Sequence, residues 1–110
     1  MTRDEMMNWL QLRQIRCPCG QVHTMTDVHH VFIRRVKKHM DELYHPANCV
    51  AANNRCHLAE GLDFQIASAL ICFEHVGGPD KVLEWVDSLP LKVKHLPGFF
   101  WSAKKLWEER

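Results

Sequence analysis

The sequence predicts a single α+β domain, and three observations carry that prediction. Two short central stretches, Thr24 to Ile33 and Cys49 to Ala51, are rich in β-branched and apolar residues and have the length of strands. Apolar residues recur at helical spacing before them and throughout the second half, at Leu62, Ile66, Ala69, Phe73 and Val76 for example. The 110 residues suffice for one modest core, and no repeat, low-complexity tract or linker divides them.

Each element has a local reason. Thr2-Arg3-Asp4-Glu5 fits a capping box, and the apolar Met6, Trp9, Leu10 and Leu12 behind it extend the expected helix to about Ile15. Cys17-Pro18-Cys19-Gly20 cannot continue that helix and reads as a tight knuckle. The first strand follows, then the basic stretch Arg34-Arg35-Val36-Lys37-Lys38 and a loop through Tyr44-His45-Pro46. After the second strand comes a polar turn at Asn53-Asn54. A short helix then runs through Cys56 and His57 and stops near Gly61. Gly77-Gly78-Pro79 ends the next helix and begins another, whose inner face is Val82, Leu83, Val86 and Leu89 and which Pro90 ends. Phe99, Ala103 and Leu106 mark the inner face of a last helix.

Composition narrows the function classes. Apolar residues make up 46% and charged residues 25%, which is ordinary globular usage. A formal net charge of +1 gives no global footprint of a nucleic-acid binder, so that function would need a local basic patch. No apolar run approaches a membrane span, and the start lacks the apolar core of a signal peptide. The expectation is therefore a soluble cytoplasmic protein. Five cysteines, an odd number, argue for metal ligation over a disulfide framework, and eight histidines point the same way.

The chemistry concentrates in the centre. Asp27-Val28-His29-His30-Val31 is followed by His45-Pro46-Ala47-Asn48-Cys49-Val50 and then Asn54-Arg55-Cys56-His57, with nine residues from Asn48 to His57. In this order and spacing the three segments resemble the HNH endonuclease family, over roughly Cys17 to Gly61. The resemblance implies a ββα-metal finger, a small hairpin and helix gripping one divalent cation, wrapped here by the helices of 62–110. It implies His30 as general base for a water, His29 and His57 as cation ligands, and Asn48 as the amide that fixes the loop and so orients His30. It further implies phosphate contacts from Arg34, Arg35, Lys37, Lys38 and Arg55. The partner is then DNA, for a monomer or homodimer of low sequence specificity like compact phage or mobile-element nucleases. With two protein ligands the cation would be magnesium or manganese, with nickel or zinc as alternatives.

The sequence also departs from that pattern. Some relatives hold a structural zinc with two cysteine pairs, the first spaced CxxC. Here Cys17 and Cys19 are one residue apart, and Asn53 stands where a cysteine would pair with Cys56. Three thiolates remain for a metal that takes four ligands, so His23 or Cys49 completes the set or the site has decayed. Gly61 stands where some relatives have a further histidine. Adjacent side chains on a regular strand face opposite ways, so His29 and His30 share a site only if the strand ends or bulges there. The alternative function is a zinc-containing nucleic-acid- or protein-binding module without turnover; an RNA-directed nuclease is a third.

Overall fold

The computed structural model describes residues 1–59 and 61–110. Helix α1 (Arg3–Gln11) begins as the sequence predicts: Thr2 Oγ accepts from Glu5 N–H, and the Glu5 carboxylate accepts from Thr2 N–H. It stops short of Ile15. The amides of Arg13 and Gln14 both turn back to Leu10 O, and the Gln14 side chain is committed elsewhere. Its Nε2 donates to Ala51 O and its Oε1 accepts from Ala51 N–H, each at 2.7 Å. Gln14 thus acts as a one-residue strand on the far edge of the sheet, a tie that a helix continuing to Ile15 would break.

The sheet has two antiparallel strands, β1 (Asp27–His30) and β2 (Cys49–Ala52). β1 is shorter than the apolar stretch 24–33 because both flanks bond elsewhere. Thr24 O and Thr26 O accept from Asn53 Nδ2 and an Arg3 guanidinium nitrogen, and the amides of Phe32 and Ile33 turn to the Asn48 side chain. The 31–48 connection contains a single 3-10 turn over 37–39 and a short helix α2 (Met40–Leu43). Helix α3 (Asn54–Leu58) follows β2 at once, capped by Asn53 Oδ1 accepting from Arg55 N–H. It ends before Gly61.

Helices α4 (Leu62–Val76), α5 (Pro79–Asp87) and α6 (Phe99–Glu108) complete the six α-helices among the described residues. Gly77 ends α4 at φ 94°, a left-handed conformation costly for residues with a Cβ, and Pro79 opens α5. α5 stops before Pro90, its last turn closed by Ser88. β2 is buried on both faces: Cys49 and Ala51 pack on Met6, Met7 and Leu10 of α1, whereas Val50 joins the main core. That core centres on Phe32, Phe73 and Phe100, whose ring centroids lie 5.5–6.2 Å apart. Losing one such ring costs about 3–5 kcal/mol. In α6 the expected inner residue Leu106 is exposed, because Phe100, Ala103 and the half-buried Trp107 hold the inward face. No helix among the described residues is long and apolar enough to cross a membrane.

Candidate functional site

Two clusters rich in histidine and cysteine flank α3. The first is the knuckle. Cys17, Cys19, His23 and Cys56 bring their ligand atoms within 4.8 Å of one another, forming the one such group of three or more metal-capable side chains among the described residues. His23 Nε2 lies 3.3 Å from Cys19 Sγ and 3.6 Å from Cys56 Sγ. Zinc arms of ~2.3 Å to sulfur and ~2.05 Å to nitrogen, at tetrahedral angles, set an S···N edge of about 3.6 Å. The group can therefore hold a metal ion and is compatible with a structural zinc. Burial and the neighbouring Cys19 and Cys17 sulfurs push the Cys56 thiol up to about 11, a crowding that a divalent cation would relieve. The backbone N–H of Gln21 holds the Cys19 thiol below its ordinary value.

His23 is thus the fourth member, and Cys49 is not. Cys49 is buried under α1, donates to Leu43 O at 3.3 Å, and has its thiol pushed up to about 12 by burial. Asn53, where the resemblance calls for a thiolate, caps α3 instead and donates its backbone N–H to Cys17 Sγ at 3.5 Å.

The second cluster is a cleft of about 480 Å³ at the end of β1, bordered by His29, His30, His57, Tyr44, Arg34 and Arg35. The strand pairing runs one-to-one through both histidines, His29 opposite Val50 and His30 opposite Cys49, and stops there. Of the two distortions expected at the pair there is no bulge, and the strand ends at His30. The two imidazoles leave opposite faces of the strand and share the cleft because it wraps around the strand's end. His29 sits against Phe64 and points Nδ1 at His57 Nε2, 3.0 Å away. Two imidazole nitrogens on one cation with ~2.1 Å arms at right angles stand about 3.0 Å apart, so this pair fits two adjacent corners of an octahedral ion.

The other His57 nitrogen, Nδ1, lies 3.1 Å from Asp27 Oδ2, which also accepts from Asn54 Nδ2 at 3.0 Å. Burial raises the Asp27 carboxyl, but the hydrogen bonds from His57 and Asn54 outweigh it and hold the group below its ordinary value. An ionised Asp27 keeps the His57 proton on Nδ1 and leaves Nε2 facing His29 as a lone pair.

His30 stands apart, its ring 4.7 Å from Tyr44 and its Nε2 buried without a hydrogen-bond partner. Burial, then Arg35, Arg34 and His57, push it down to about 4, so it is unprotonated at neutral pH. Behind it Asn48 is fully buried with every hydrogen-bonding position used. Oδ1 accepts from the amides of Phe32 and Ile33, and Nδ2 donates to the carbonyls of Ile33 and Leu43.

The basic residues, one patch in the sequence, divide in space. Arg34 and Arg35 border the cleft, Lys37 and Lys38 sit in the 3-10 turn outside it, and Arg55 is exposed on α3. Sequence reasoning missed three residues here. Arg3 joins the cleft from α1 with no sequence signal. Tyr44, in a segment the sequence predicts as loop, follows the last residue of α2. Asp27 had a signal: two positions before His29 on a strand, it shares that residue's face.

Comparison with protein-family models, curated proteins and solved structures finds no match to this chain. Its own geometry therefore defines the class: an α+β domain with a Cys₃His cluster able to hold a metal and, across α3, a histidine cleft edged by arginines.

Proposed function

We propose that this chain is a metal-dependent DNA endonuclease that hydrolyses phosphodiesters through a His30-activated water. On this reading β1, β2 and α3 are the ββα-metal finger of the HNH family. The observation that carries it is the juxtaposition at one cleft of the His29–His57 nitrogen pair, of His30, whose buried Nε2 has no hydrogen-bond partner, and of two arginines. A divalent cation on His29 and His57 would polarise the scissile phosphate and stabilise the leaving oxygen. The remaining work falls to the chain. Arg34 and Arg35 seat the phosphate. His30, held by the loop that Asn48 ties, accepts the proton of the attacking water. A value near 4, set first by burial and then by the Arg35 and Arg34 charges, makes His30 a weak base; a bound phosphate would offset the arginine part of that depression. Arg55, Lys37 and Lys38 add flanking phosphate contacts, weak in sequence preference, for a protein acting on intracellular DNA.

The test is plasmid nicking with magnesium, manganese or nickel against a metal-free control. Cleavage by wild type and a loss of at least about a hundredfold in His30→Ala are expected. Cleavage by His30→Ala at the wild-type rate would refute the mechanism. One observation favours a second reading, a zinc-containing binding module without turnover: the Cys₃His cluster offers four ligands, whereas the cleft offers a pair. One tightly bound zinc with DNA binding and no cleavage under any metal would select it.

A further inference from the structure

Arg34 borders two clefts. On the side away from His30 lies a smaller one of about 250 Å³, between α4, the 95–98 turn and the start of α6. At ~30 Å³ of liquid volume per water it has room for about eight waters, the scale of a single heterocycle and too small for a helix or strand. Pro97 and the largely buried Phe99 supply apolar wall, while Gln65, half-buried on α4, and the exposed His95 supply polar groups. Among the described residues no acidic side chain borders it.

We propose that this second cleft receives the unpaired nucleobase adjacent to the scissile phosphate, so that the substrate is DNA with single-stranded character. The inference rests on the nuclease reading and names the substrate form for the same site. Three features converge. Flat apolar wall beside an amide suits a nucleobase, since a Gln side chain presents a donor and an acceptor side by side, the pattern that pairs with a base edge. An exposed imidazole at the rim can stack on either ring face. And Arg34, common to both clefts, places an anion site next to the heterocycle site, the relation that a phosphate and its own base have within one nucleotide. A base stacked and paired inside a duplex cannot enter a side cleft without extrusion, which costs a few kcal/mol, so a strand already unpaired is the preferred occupant.

The test is binding of a labelled single-stranded oligonucleotide and of a blunt duplex of the same sequence, by fluorescence anisotropy without added magnesium or manganese. Two variants probe the cleft. Gly98 lies on its lip in right-handed helical backbone (φ −57°, ψ −33°), and a Cβ there meets nothing within 4 Å, so Gly98→Leu narrows the cleft without backbone strain. Gln65→Ala removes the amide. Wild type should prefer the single strand, and each variant should lose roughly tenfold of that affinity, with duplex binding changed by less than about twofold. Equal or tighter duplex binding by wild type overturns the proposal, as do variants that leave single-strand binding unchanged or weaken both forms alike. Because the readout is binding, its failure with plasmid nicking intact indicts the base cleft alone. Strand preference without cleavage of either plasmid or single-stranded DNA leaves the cleft standing and removes the nuclease reading.

Discussion

Replacing Asn48 with Ala should bring the protein close to unfolding. The Asn48 side chain makes four hydrogen bonds at 2.9–3.1 Å, two to each end of its amide, all to backbone groups of the 31–33 turn and of Leu43. At a net ~1 kcal/mol each, their loss alone costs about 4 kcal/mol, and each orphaned buried amide or carbonyl adds up to its own desolvation penalty. Against the ~5–15 kcal/mol typical of a whole domain, this is a large fraction. At ~4–8 °C per kcal/mol, Tm should fall by at least about 15 °C. The assay is thermal unfolding followed by circular dichroism, with Asn8→Ala, on the exposed face of α1, as the matched control expected within ±0.5 kcal/mol. A drop in Tm of less than about 5 °C for Asn48→Ala would mean that the turn is held by something else, and Asn48 would lose its claim to fix the segment behind His30.

Three further outcomes are expected. Purified protein should carry one zinc per chain by native mass spectrometry; His23→Ala should weaken zinc retention in chelator titrations and Cys49→Ser should not, and the reverse pattern would place the fourth ligand wrongly. Asp27→Asn should raise the concentration of magnesium or manganese needed for half-maximal nicking about 10–100-fold with the knuckle zinc retained, because it replaces the charged acceptor that orients His57 with a neutral amide; an unchanged metal dependence would refute that role. Stability should fall as pH drops below about 6.5, the unfolded His value. Burial holds His45 and His75 below that value when folded, so the unfolded chain takes up protons first and the stability present above it is lost as pH falls towards the folded values. His45 Nδ1 accepts from Ala47 N–H and cannot do so protonated. His45→Gln should therefore flatten the slope of the urea midpoint between pH 7.5 and 5, both proteins being measured in the same zinc; equal slopes would refute the assignment.

How much was legible follows from the range of each interaction. The start of α1 and the break between α4 and α5 were readable because Thr2–Glu5 and Gly77–Pro79 are decided within one turn of chain. The end of α1 was not, because its cause, Ala51, is 37 residues away. Leu106 fits the apolar period as well as Trp107 does. Only the packing of α6 against α4 chooses between them, with Trp107 placed edge-on to Phe73. At the sites, the sequence named His29, His30, Asn48, His57 and three cysteines by residue type and order. It left His23 level with Cys49, since which side chain reaches a metal depends on where the knuckle folds back over α3. It missed Arg3, which reaches the cleft only because its helix packs across the sheet.

The two clusters are mechanically one unit, and α3 is the reason. Cys56 and His57 are adjacent on a helix of only five residues, with one side chain in the knuckle and the next in the cleft. So short a helix has little stability of its own and takes its position from what grips it. Those grips include the Asn53 cap, the Asp27 carboxylate that meets both His57 and Asn54, and the knuckle sulfurs. A metal bound by Cys17, Cys19, His23 and Cys56 would pin α3 to the chain ahead of β1, and so set where His57 Nε2 meets His29. Without it, the Cys56 thiol, raised to about 11 by burial and the Cys19 and Cys17 sulfurs, stays protonated and neutral. A knuckle metal would therefore act on the cleft through the placement of one imidazole.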